Sequence, residues 1–128
     1  MIFDTGGRFH EDSKIELLWT NPNPNVLIDS TITTSQFNTS KYSFFLVVTK
    51  AHDSLNQYET NVILSYIGTE YRQKLSVLAY PQIFSRSVTV NMDGLSFSAN
   101  GAMSYVDVNS TTESKPAAIP MYVYGVSK

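Results

Sequence analysis

Between Ile83 and Ser98 the chain reads IFSRSVTVNMDGLSFS, and this stretch leaves few choices of fold. Phe84, Arg86, Val88 and Val90 fall on one face of a two-residue period, while Ser85, Ser87 and Thr89 fall on the other. Asn91-Met92-Asp93-Gly94 interrupts the alternation, which resumes with Leu95 and Phe97. Glycine accepts the positive φ that a tight turn demands, so Asp-Gly marks the reversal and the pattern predicts a β-hairpin with one apolar face. A hairpin alone is marginal in water, and its apolar face must be covered by a second sheet.

The remaining segments supply that cover. Lys14 to Thr20 predicts a strand with Ile15, Leu17 and Trp19 on one face, stopped by Asn21-Pro-Asn-Pro-Asn25, where proline removes ladder donors. Val26 to Thr34 predicts a second strand, and Ser35 to Ser40 a turn-rich connection. In Lys41 to Lys50, Tyr42, Phe44, Leu46 and Val48 share one face and Phe45 and Val47 the other, as in a central strand covered on both sides. Ala51 to Gln57 reads as polar, with room for one short helical turn. Strands follow over Tyr58 to Ile67 and Gln73 to Tyr80, then the hairpin, then Ala102 to Val108 after a second tight turn at Asn100-Gly101. Asn109 to Pro116 is a loop by composition. In the last strand, Ile119 to Val126, Ile119, Met121 and Val123 take one face and Tyr122 and Tyr124 the other. Eight or nine short strands without an amphipathic helix predict an all-β antiparallel sandwich or jelly roll. Trp19, Phe44, Leu46, Val88, Val90 and Phe97 are its expected core.

With 128 residues the chain suits a single sandwich domain over 14–128, preceded by an N-terminal arm, 1–13. It contains no cysteine, which removes disulfides and thiolate chemistry. Charged residues make up only 16%, against 16 Ser, 12 Thr and 9 Asn, so hydroxyls and amides carry most of the solubility, a surface suited to repetitive assemblies. The net charge of −2, without a basic stripe, argues against nucleic acid as a partner. No signal peptide or membrane-spanning run is visible.

Candidate chemistry is sparse. His10 and His52 both sit in polar segments, and no acid occupies the apolar strand context that would raise its pKa for acid catalysis. No calcium-loop spacing is present, so no catalytic residue, cofactor or metal is expected and the chain does not read as an enzyme. Arg86 is the one charge on the apolar hairpin face. It is expected at the rim with its guanidinium solvated, or at an interface where it meets an acid or carbonyls. Tyr122 and Tyr124 are candidates for stacking on a glycan or facing a partner subunit.

KIELLWTNPNPN, the central strand opening at Tyr42, SRSVTV followed by GLSF, and the ending IPMYVYGV occur in this order over 14–128. Together they resemble small proteins and C-terminal modules of phages infecting Gram-positive and gut bacteria. The resemblance implies a tail-associated or fibre-type virion structural protein, self-associating, with a trimer favoured, and contributing to host-surface attachment. These motifs are structural and carry over no catalytic residue. Only a short segment precedes KIELLWT, in contrast to longer relatives, so attachment through the N-terminal arm is expected. A capsid decoration or head-fibre protein, and a free carbohydrate-binding module, are the alternatives.

Overall fold

A computed structural model describes residues 14–24, 31–34, 36–66 and 71–128; the expected arm, 1–13, and most of the strand expected over 26–34 lie outside them. Among the described residues nine strands run β1 (Ile15–Thr20), β2 (Ile32–Thr33), β3 (Tyr42–His52), β4 (Leu55–Leu64), β5 (Tyr71–Ala79), β6 (Gln82–Asn91), β7 (Gly94–Tyr105), β8 (Val108–Ser114) and β9 (Ala117–Ser127). They form two antiparallel sheets packed face to face, β1-β9-β3-β4 and β2-β7-β6-β5 with β8 added to β7. The chain is an all-β sandwich.

The β6–β7 hairpin reverses where Asn91 pairs with Gly94. Phe84, Arg86, Val88 and Val90 all point into the sandwich, because the period of two leaves the serines and threonines of β6 on the outside. Across from them, Trp19, Phe45, Val47, Ile63 and Val123 close the main core, where the Trp19 and Phe97 rings sit 5.7 Å apart. A second, smaller cluster gathers Ala51, Val77, Phe84 and Ala117 at the other end. Arg86 lies on β6 between the two.

Two expected core residues are replaced by their neighbours. Phe45 and Val47, both fully buried, hold the inward phase of β3, and Phe44 and Leu46 take the outer face. Every position in this stretch is apolar, so alternation alone does not choose the side. A bulge at Ser43 lets Tyr42 point inward as well, with its ring 5.6 Å from Phe45. Burial, and then the hydrogen bond to Glu16 and the charge of that carboxylate, raise the Tyr42 phenol pKa above its ordinary value. A bulge at Leu18 breaks the phase of β1 in the same way: Trp19 is buried, whereas Ile15 and Leu17 face outward at 66% and 52% exposure.

Three local expectations also give way. Residues 51–57 form no helical turn; β3 runs on to His52 and β4 begins at Leu55. Asn100-Gly101 is no turn but part of a bulge within β7, since Arg86 pairs with Gly101 while Val88 pairs with Phe97. The loop expected over Asn109–Pro116 is mostly strand β8, held by its ladder to β7 despite a composition that suits a loop.

The flank where β4 meets β5 is laced by side chains. The Asn61 amide donates to the Ser76 carbonyl at 3.1 Å and accepts from the Ser76 N–H at 2.9 Å. Gln57 donates to the Leu78 carbonyl at 2.7 Å, and Glu59 accepts from the Leu78 N–H at 3.2 Å. Gln73 returns the same pattern to both backbone groups of Leu64. These side chains satisfy backbone groups that sheet edges otherwise leave open.

Candidate functional site

Three places could bear function, and each is set by a strand register. The first is the outer face of the β1-β9-β3-β4 sheet. Cross-strand partners share a face, so the register places Leu17, Tyr124, Leu46 and Val62 in one row. The row on one side of it holds Ile15, Val126, Phe44 and Leu64; the row on the other side holds Thr20, Tyr122, Val48 and Thr60. None of these side chains is charged. Ile15, Leu17, Val62 and Leu64 are more than half exposed, and Tyr122 is 37% exposed. Tyr124 is half-buried, and its ring lies 6.5 Å from that of Tyr122 at a tilt of 49°. The two tyrosines therefore form a pair on an aliphatic sheet face, with the threonine hydroxyls as the polar neighbours in these rows.

The second place is Arg86, which is not at a rim. Its side chain is 1% exposed and lies within the sandwich. Nε donates to the Ala118 carbonyl at 3.0 Å, Nη1 to Ser98 at 2.7 Å, and Nη2 to Ala117 at 2.8 Å and also to the carbonyl of Lys115. The β7 bulge supplies one of these acceptors, the turn between β8 and β9 another, and the first two residues of β9 the rest. Burial lowers the guanidinium pKa to about 10, which leaves it charged at neutral pH. Sequence alternation gave the direction of this side chain correctly; what it lacked was the bulge and the turn that bring carbonyls to meet it. Ala118 holds φ at 50°, a left-handed value unusual for a residue with a Cβ, and its carbonyl is one of the four.

Gly101, paired with Arg86, makes the enclosure possible. A Cβ there would stand 2.3 Å from the Ala117 carbonyl oxygen and 2.9 Å from that of Ser114. Both contacts are with backbone, so relief requires the β8–β9 turn to move away from the guanidinium it surrounds. Gly101→Ala is accordingly expected to lower stability by about 2–3 kcal/mol, measured by urea denaturation. A change below 0.5 kcal/mol would show that the turn is not held there.

The third place is a cleft of about 210 Å³ where His52, Ser54, Gln82 and Ser114 stand over Phe84 and Met103. It is smaller than the roughly 300–1,000 Å³ of most ligand sites. His52 Nδ1 lies 2.8 Å from Asp53 Oδ1 and 3.1 Å from Ser54 Oγ, and its ring rests 5.7 Å from that of Phe84. A catalytic triad places serine and carboxylate on opposite nitrogens of the imidazole. Here both converge on Nδ1, so the three residues clasp the β3–β4 turn.

Among the described residues, no group of three or more His, Cys, Asp or Glu side chains is placed to hold a metal ion, and no helix is long and apolar enough to cross a membrane. His10 lies outside the described residues. Comparison of the chain with protein-family models, with curated proteins and with solved structures gave no match.

Proposed function

We propose that this protein is a structural subunit of a phage virion, associated with the tail or its fibres, and that it works through contact between faces rather than through a pocket. The observation that carries the reading is the outer face of the β1-β9-β3-β4 sheet, three successive rows of which carry no charge and on which Ile15, Leu17, Val62 and Leu64 stay more than half exposed. Soluble monomers rarely leave so continuous an apolar surface open, and such surfaces mark contact sites. A surface dominated by hydroxyls and amides and poor in charge supports the same reading, since it avoids repulsion between repeated copies. Antibody labelling of washed virions tests it directly. Label on the tail or fibres is the expected result, label on the head would move the subunit to the capsid, and label absent from particles would overturn a structural role.

A glycan-attachment role rests on one specific feature, the Tyr122–Tyr124 pair, since aromatic faces pack on sugar rings. Its immediate row neighbours are Leu17, Leu46, Val48 and Thr20, of which only Thr20 can offer a sugar a hydrogen bond. Subunit contact therefore suits this face better than saccharide does. On a glycan array, wild type and a Tyr122→Ala/Tyr124→Ala variant are expected to give the same low signal. Strong binding by wild type that the variant loses would reverse the order of the two readings.

A further inference from the structure

The outer face that supports the structural role also constrains what covers it. Its exposed Ile15, Leu17, Val62, Leu64 and Tyr122, with the half-buried side chains between them, leave roughly 600 Å² open, at the upper end for a monomer's largest patch and near the ~800 Å² each partner gives to a standard interface. No lysine, arginine, aspartate or glutamate stands in its three rows, so it offers no electrostatic handle for a partner of either sign. An identical face meets it without repulsion at any register. The rows carry mainly aliphatic and aromatic side chains, with threonine at the ends of one, on a four-stranded sheet, the kind of surface that packs against another sheet at about 10 Å separation.

We infer that the occupant of this face is a second copy of the same chain, the two β1-β9-β3-β4 sheets stacking about a two-fold axis. The inference rests on the structural role proposed above and names its partner. A flat face stacks on only one other at a time, so this contact makes a dimer, and a trimer of the kind the resemblance implies would need a second, separate contact. Tyr124 and Leu46 lie on the two middle strands and are packed at the centre of the joint. Leu17, on β1, and Val62, on β4, stand toward its two sides.

Sedimentation velocity of the full chain tests the contact. Wild type is expected to be dimeric at tens of micromolar, and Leu17→Glu/Val62→Glu to be monomeric, with a loss of at least 100-fold in association. Both positions are exposed, so the variant should retain the wild-type circular dichroism spectrum and melting temperature. Met92→Glu/Val108→Glu adds the same charge at exposed apolar positions in the β6–β7 turn and on β8, off this face, and is expected to remain dimeric. A monomeric wild type, or a dimer that survives the Leu17/Val62 change, would overturn the second copy. Incorporation into virions separates that failure from failure of the structural role. A monomeric wild type whose Leu17/Val62 variant is excluded from particles would retain the role and assign the face to a different virion protein.

Discussion

Replacing Arg86 with methionine is expected to cost about 4 kcal/mol, a large part of the 5–15 kcal/mol that holds a domain of this kind folded. Methionine keeps most of the apolar stem and removes the donors. The carbonyls of Ser98, Lys115, Ala117 and Ala118 would then lose the guanidinium they converge on, and an unsatisfied buried acceptor costs about 1–3 kcal/mol. Some of those groups sit in a turn and can rotate toward water, which keeps the total below their simple sum. Arg86→Lys retains the charge but presents it as a point, unable to address carbonyls spread around a planar fork, and is expected to lose about 2–3 kcal/mol. Urea unfolding followed by circular dichroism gives both values. A methionine variant as stable as wild type would show that the sandwich closes equally well around an apolar side chain.

Val88→Asp is expected to be at least as damaging, about 4 kcal/mol or more, because it puts a carboxylate at a fully buried position beside Phe97. One neighbour complicates that expectation. Arg86 lies two residues earlier on the same face, within reach of an introduced acid, although its donors are already committed to carbonyls. Val90→Asp puts the same acid two residues further along, away from Arg86 and toward the β6–β7 turn. If Arg86 turns to meet the new charge, Val88→Asp will be the milder of the two; if the four carbonyls hold it, both will fail to fold at 37 °C. Thermal melts of the two variants side by side distinguish these outcomes.

The parts of this architecture that could be read from the sequence are those where polar and apolar residues truly alternate. In β6, serine and threonine mark the outside, so the inward direction of Phe84, Val88 and Val90 follows at once. The same holds for Val123 against Tyr122 and Tyr124 on β9. Where both faces are apolar, as over Phe44 to Val48, the pattern is symmetrical and the inward side is settled by the register with β9 and by a bulge at Ser43. A single extra residue at Leu18 likewise exposes Ile15 and Leu17, and thereby creates much of the open face. Composition misjudged β8, because its hydroxyl-rich residues gain their order from β7 rather than from any core of their own. Arg86 followed the alternation faithfully. What disguised its role was that its partners are peptide carbonyls, which any residue type supplies and no motif announces.

With Gln57, Glu59 and Asn61 occupying the backbone groups of Ser76 and Leu78 on β5, and Gln73 those of Leu64 on β4, a foreign strand arriving at that flank meets a ladder already taken at three places. The outer margins of β1 and β8 belong to the opposite flank. Lateral growth of the sheets is therefore less ready at the β4–β5 flank than at the other: a molecule joined through β1 or β8 presents a partly occupied edge to the next arrival. Such an edge resists the lengthening of a ribbon, and so works against the fibrils to which a chain with so much β-structure is otherwise open.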